Sequence, residues 1–236
     1  MAQRFIDRFD VILLDMGCTF MFEVDRFSEH ENFGATYRRL GGDFLSDREV
    51  NQITLSVLDT LLADYEGLRY CDSFPLVSDY LKALVGENLS EREFQLLEDV
   101  FALHEIGVIP QSYAVILHQL SQTHRLGVVS NIWSRSDRYF EAFERAGIRD
   151  LFEAIVFSSD YKCIKPSTKL FAKAVELVDV QPSKILFVGD SLKFDCTGAK
   201  STGLSMAWIN ADSQPVMEMN GFSPDYIIQD LEELLS

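Results

Sequence analysis

The stretch Val11-Ile12-Leu13-Leu14-Asp15-Met16-Gly17-Cys18-Thr19 decides how this chain is read. Four consecutive apolar residues ending at a carboxylate describe a strand buried on both faces, the form strands take in a parallel sheet covered by helices. Such a strand delivers Asp15 to the carboxyl rim of the sheet, where open α/β folds bind their ligands. An acidic group there is a candidate nucleophile or metal ligand. Taken alone, the same pattern also describes an Asp that opens a turn.

The segments around this stretch have two textures. From about Ser28 to Glu105 no strand pattern occurs. Three Ser-x-x-Glu pairs, Ser28/Glu31, Ser46/Glu49 and Ser90/Glu93, read as capping boxes. Apolar residues at helical spacing follow, for example Val50, Ile53, Val57, Leu58, Leu61 and Leu62, with Gly41-Gly42, Gly67 and Gly86 as stops. This predicts an all-helical module inserted after the first strand.

From Pro110 helix and strand alternate. Helices are predicted at 110–124, 136–146 (capped by Ser136, ended by Gly147), 167–178 and about 196–201, with a last one at 230–235. Strands are predicted at 126–129, 154–157, 185–188 and 204–209. Repeated strand–helix units with short connections imply a doubly wound, Rossmann-like parallel sheet of about five strands. The expected division is an α/β core made of 1–21 and 108–236 and a helical domain spanning 22–107.

Composition narrows the function classes. With 236 residues, 47% hydrophobic and 25% charged, the chain has the make-up of a folded soluble protein. Its formal charge of −16 argues against nucleic acid or an anionic membrane as partner, because both need a basic footprint. No run approaches the roughly 20 apolar residues of a membrane span, and Met1 to Phe5 carries no long apolar leader segment. Cys18, Cys71, Cys163 and Cys196 are scattered without metal spacing and read as reduced thiols of a cytoplasmic protein. His30, His104, His118 and His124 form no ligand pattern and read as structural or surface residues. No feature assigns an oligomeric state.

Asp15, Ser130, Lys165 and Asp190 all fall at or just beyond predicted strand ends, with Asp195 five residues after the last. Parallel strands bring such groups to one rim. Carboxylates, a hydroxyl and a single cation suit a small anionic substrate bridged by a hard divalent ion such as Mg²⁺, which takes oxygen ligands. Converging carboxylates repel one another, a cost that a cation relieves.

Asp15 in Asp-x-x-x-Thr, Ser130 in Val-Val-Ser-Asn, Lys165 in Lys-Pro-Ser, and Gly189-Asp190-Ser191 with Asp195 resemble, in order, the four motifs of the haloacid dehalogenase-like hydrolases. The helical insert resembles the C1 cap of their subfamily I, and Pro224 to Ile228 resembles the usual close of such a chain. The resemblance implies a Mg²⁺-dependent phosphatase acting on a small phosphorylated metabolite. Asp15 would attack phosphorus and form an aspartyl-phosphate that water hydrolyses. Asp15, the Gly17 carbonyl, Asp190 and Asp195 would hold the metal. Ser130 and Lys165 would neutralise the transferring group, Thr19 and Asn131 would assist, and the cap would exclude water.

One departure stands out. Most phosphatases of this family carry a second Asp, the general acid, two residues after the nucleophile; here that residue is Gly17, followed by Cys18. The missing proton donor is worth ~10²–10⁴ in rate. Either the leaving group is good or another acid serves, with Glu23 and Asp25 the nearest spare carboxylates. Two other readings remain open: C–X or C–P hydrolysis of the dehalogenase or phosphonatase type, and a binding or regulatory protein. Lys82 is the only lysine of the insert, and Gly189-Asp190-Ser191 is a metal-type motif. Arg26, Arg38, Arg39 and Arg69 are candidates for a distal substrate grip or a solvated helix face. Trp133 and Tyr161 either line the pocket or pack.

Overall fold

Strand β1 (Val11–Leu14) lies at the centre of a six-stranded sheet in a computed structural model that describes residues 4–86, 88–215 and 218–236. Of the amino-terminal stretch read for a leader, Met1, Ala2 and Gln3 lie outside the described residues. The chain then passes through α1 (Phe33–Arg39), α2 (Asp47–Glu66), α3 (Val77–Val85), α4 (Glu91–Glu105) and α5 (Gln111–Ser121). Next come β2 (Arg125–Ser130), α6 (Asp137–Arg145), β3 (Phe152–Phe157), α7 (Ser158–Tyr161) and α8 (Thr168–Val178). The chain closes with β4 (Ile185–Gly189), α9 (Thr197–Ser201), β5 (Ser205–Ile209) and β6 (Tyr226–Ile228). The strand order is β3-β2-β1-β4-β5-β6, and every pairing is parallel.

All four residues of β1 are buried because alternate side chains enter different cores. Ile12 and Leu14 pack with Leu117, Leu120 and Phe143 on one face, whereas Val11 and Leu13 pack with Leu170, Phe171 and Ala174 on the other. A run apolar at every position is what a sheet covered on both sides requires. Leu14 pairs with Val128 of β2 and Val188 of β4, so these three strands end on one rim.

Helices α1 to α4 enclose a core of their own, including Phe33, Tyr37, Val57, Leu61, Leu97, Val100 and Phe101. Trp133 and Ile164 from the α/β part join it. Phe22 and Val108 exchange two backbone hydrogen bonds, of 2.8 and 2.7 Å, where the chain leaves the α/β part and returns.

Several local expectations are corrected. The sheet has six strands rather than about five, since β6 is too short to stand out in sequence yet pairs with β5. Ser28/Glu31 starts no helix; Asn32 caps α1 by accepting from the Ala35 N–H. The Ser90 hydroxyl accepts from the Glu93 N–H, but the Glu93 carboxylate is taken by the Tyr37 hydroxyl, so that box is half formed. Ser136 does not cap α6, because its Oγ donates to Asp160 at 2.8 Å. The segment near Cys196 opens as a π turn (Leu192–Cys196) before α9. The last turn, Leu231–Leu235, is 3₁₀ and is capped by Asp230. Among the described residues, no helix is long and apolar enough to cross a membrane.

Candidate active site

At the shared rim, Asp15 directly follows β1 and Ser130 ends β2. Lys165 sits in the loop before α8, Asp190 follows β4, and Asp195 lies within the π turn. The Ser130 hydroxyl donates to Asp15 Oδ1 at 2.7 Å, and Lys165 Nζ reaches the same oxygen at 2.7 Å. Lys165 also donates to Asp195 Oδ1 at 2.6 Å, while Asp195 Oδ2 accepts from the Ser191 N–H at 3.0 Å. Five segments spread over 181 positions thus meet in one cluster, and Asp15 Oδ1 carries two donors.

The sequence around each group explains its placement. The Met16 carbonyl accepts from the N–H groups of Thr19, Phe20 and Met21, folding the loop after β1 back on itself. The Trp208 indole N–H donates to the Asp190 carbonyl at 2.8 Å. Gly189 permits the cluster to close: a Cβ there would stand 2.3 Å from Asp195 Oδ2 and 3.2 Å from the Asp15 Cβ. Asn131 ties the rim together, accepting from the Lys165 N–H at 2.8 Å and donating to the Tyr65 hydroxyl at 2.9 Å.

Charge in the cluster is unbalanced. Ligand oxygens of Asp15, Asp190 and Asp195 lie within 4.8 Å of one another, and Lys165 is the single cation among the cavity's lining residues. Burial, then the charges of Asp195 and Asp15, raise the Asp190 pKa. Burial also raises Asp195, against the lowering effect of Lys165. Burial alone would discharge Lys165, but the carboxylates of Asp15 and Asp195 outweigh it and keep the ammonium protonated. An oxygen-only donor set with excess negative charge fits a hard divalent cation.

A cavity of about 280 Å³ opens here, lined by Asp15, Gly17, Ser130, Asn131, Lys165 and Asp190 among others. A second cavity of about 220 Å³ adjoins it and shares Gly17, Asp25, Tyr65 and Asn131. Thr19 is not on either wall; it is buried behind the loop, and its hydroxyl has no hydrogen-bond partner among the described residues. Cys18 lines the first cavity with an exposed side chain. Partial desolvation of the thiol against the cavity wall, then the carboxylates of Asp190, Asp15 and Asp25, raise its pKa.

The helical segment supplies groups that no motif announced. Tyr65 from α2 lies against Phe194 with ring centroids 4.7 Å apart and planes tilted by 30°, and meets Trp133 edge-on at 5.5 Å. Glu105, at the end of α4, accepts the backbone N–H groups of Trp133 and Ser134, which fixes the loop after β2. Helical spacing could place Tyr65 on a face but not opposite Asn131. None of the four arginines lines either cavity. Arg38 is held by Asp47 and the Gly42 and Leu45 carbonyls, Arg26 by the Glu23 and Leu103 carbonyls, Arg39 contacts Thr36, and Arg69 pairs with Asp64. Lys82 lies over the Phe94 ring, away from both cavities. Trp133 both packs and lines the second cavity, whereas Tyr161 is exposed and lines neither.

A family model described as haloacid dehalogenase-like hydrolase matches residues 78–209, more than half of the chain. Pyrimidine 5'-nucleotidase YjjG of Escherichia coli (strain K12) is 30% identical over 120 residues, which are 50% of this chain and 52% of that relative. The chain therefore matches about half of that relative's length. Among solved structures, the HAD phosphatase from Thermococcus onnurineus superposes with a TM-score of 0.63 at 24% identity, covering 95% of each chain. The 2-haloacid dehalogenase from Pseudomonas syringae pv. Tomato DC3000 superposes with a TM-score of 0.62 at 21% identity, covering 96% of each. At such identities the superpositions show the shared fold.

Proposed function

Because the chain belongs to the haloacid dehalogenase-like hydrolase family, we propose that it hydrolyses the phosphate monoester of a small metabolite. The observation that carries this reading is the convergence of the Ser130 hydroxyl and the Lys165 ammonium on one oxygen of Asp15, at 2.7 Å each. Two donors fix the Asp15 carboxylate at the rim and stand ready for a tetrahedral anion beside it. One relative, the pyrimidine 5'-nucleotidase of Escherichia coli, is by its name a nucleotidase, which supports a phosphate ester as substrate.

In this reading the Asp15 carboxylate attacks phosphorus and becomes an aspartyl-phosphate, which water then hydrolyses. Ser130 and Lys165 shift part of their hydrogen bonding to the phosphoryl oxygens as charge develops there. Asp15, Asp190 and the Gly17 carbonyl are the groups that would hold Mg²⁺, with Asp195 adding negative charge while it positions Lys165. The ion, when bound, supplies Lewis-acid polarisation of the phosphoryl group. Asn131 orients both the Lys165 loop and Tyr65. Residues 22–107 act as the cap over the core formed by 1–21 and 108–236; Tyr65 and Glu105 sit at the seam, where Lys193 Nζ also donates to the Glu66 carbonyl at 2.8 Å, and closure there excludes water.

The test is a screen of phosphorylated metabolites and p-nitrophenyl phosphate, with and without Mg²⁺, on the wild-type protein and on Asp15→Asn. Mg²⁺-dependent release of inorganic phosphate that disappears in the variant is expected. Turnover surviving in Asp15→Asn, or metal-independent halide release from a 2-haloacid, overturns the reading.

A further inference from the structure

Gly17 leaves the leaving-group oxygen without its usual acid, and another carboxyl, that of Asp25, lines the same cavity. A Cβ built on Gly17 would face Val24 Cγ2 at 4.0 Å, so the residue preceding Asp25 stands beside residue 17. Asp25 lines both cavities: the one holding Asp15, Ser130, Lys165 and Asp190, and the one bounded by Tyr65, Glu105 and Trp133. Glu23, the other nearby carboxylate, is as exposed as Asp25 but lines neither cavity.

The Asp25 backbone is pinned. Its N–H donates to the Glu105 carbonyl at 2.9 Å, its carbonyl accepts from the Phe27 N–H at 2.8 Å, and its φ is 55°. Holding a non-glycine residue in the left-handed region carries a cost that surrounding contacts must offset, and such positions cluster at functional sites. Its carboxyl forms no hydrogen bond or ion pair with any described residue, and it stays accessible from the cavity.

We propose that Asp25 is the proton donor to the leaving-group oxygen, the role left vacant at Gly17. This rests on the phosphatase reading above. As the Asp15 carboxylate bonds to phosphorus and the ester P–O bond breaks, the departing alkoxide takes the Asp25 proton and leaves as a neutral alcohol. The Asp25 carboxylate then takes a proton from the water whose oxygen attacks the aspartyl-phosphate. The P–Oδ bond breaks, and inorganic phosphate, the Asp15 carboxylate and protonated Asp25 are restored.

The surroundings keep the proton available near neutrality. Burial, and next to it the Glu105 carboxylate at the end of α4, push the Asp25 pKa up to about 7. The other titratable groups around it are Tyr139 of α6, Cys18 in the β1 loop and Glu66 at the end of α2; Asp15, Lys165, Asp190 and Asp195 face the adjoining cavity. The Arg26 guanidinium is turned to the Glu23 and Leu103 carbonyls instead.

The test compares Asp25→Asn with wild type on p-nitrophenyl phosphate, whose phenolate leaves without help, and on glycerol 2-phosphate, whose alkoxide does not. Loss of the alkyl-ester kcat/KM by ~10²–10⁴-fold, at least tenfold more than the aryl-ester loss, is expected. In the wild type the alkyl-ester rate falls as pH rises through about 7, and this limb vanishes in Asp25→Asn. In Glu105→Gln the limb moves to lower pH, because one negative neighbour fewer makes Asp25 a stronger acid. A selectivity ratio unchanged in Asp25→Asn, or a persisting limb, overturns the assignment while the phosphatase reading stands. A wild-type protein that cleaves neither ester sinks the phosphatase reading and this one together. Circular dichroism and Mg²⁺ titration of both variants separate a proton-transfer defect from misfolding.

Discussion

Replacing Lys165 by Met removes the one cation of the cavity wall while keeping roughly the same volume. Lys165 is 2% exposed and lies 2.7 Å from Asp15 Oδ1 and 2.6 Å from Asp195 Oδ1. Its loss strands two buried carboxylates, and breaking a buried ion pair on one side costs about 3–5 kcal/mol. In a chain of this size each kcal/mol moves Tm by about 2–4 °C, so a fall of about 6–20 °C at pH 8 is expected. Burial already raises the Asp195 pKa against the opposing effect of Lys165, so without Lys165 the Asp195 carboxylate binds a proton still more readily in the folded than in the unfolded chain. The variant therefore regains stability as pH falls toward 5, and the gap to wild type narrows. Mg²⁺ should close the same gap at pH 8 by restoring a counter-charge. The assay is thermal unfolding followed by circular dichroism at pH 5 and 8, with and without 5–10 mM Mg²⁺ (about the millimolar range needed to saturate a weak oxygen site). A variant as stable as wild type at pH 8, or a deficit independent of pH and Mg²⁺, refutes the account of Lys165 as the counter-ion of this cluster.

Further outcomes follow from the same geometry. Gly17→Asp should fold normally, since its Cβ meets only Val24 Cγ2 at 4.0 Å. It should rescue the alkyl-ester activity of Asp25→Asn by more than about tenfold, and steady-state kinetics of the double variant check this. Gly189→Ala forces a Cβ to 2.3 Å from Asp195 Oδ2; it should cost about 1–3 kcal/mol in urea unfolding and abolish phosphate release. Chelation of divalent ions should stop turnover and Mg²⁺ should restore it, and Asp190→Asn should need a higher Mg²⁺ concentration for half-maximal rate, as a Mg²⁺ titration of rate would record. Asn131→Ala loses the bonds to the Lys165 N–H and the Tyr65 hydroxyl, so KM should rise and kcat fall together without loss of fold.

The rim of the sheet was legible because its signals are local. An apolar run such as Val11–Leu14 announces a doubly covered strand, and the residue after it has one place to go. Asp15, Ser130 and Asp190 are named by that rule, whereas Lys165 lies in a loop beyond α7 and is marked only by its Lys-Pro-Ser motif; all four meet. Helix caps were less reliable, because a Ser or Glu has competing partners that only packing reveals. Ser136 is drawn to Asp160 and Glu93 to Tyr37, both far away in sequence.

The amino-acid sequence by itself determined the parallel sheet, the helical insert and the order of the polar groups along the rim, since each follows from periodicity within a few residues. Tertiary structure decided what faces those groups. Tyr65 meets Asn131 across 66 positions, and Asp25 is fixed by Glu105 across 80, through contacts of helices whose surface pattern does not say which neighbour they will touch. Long-range packing of the insert against the sheet brings Asp25, and not Glu23, into the wall of the cavity that Gly17 lines.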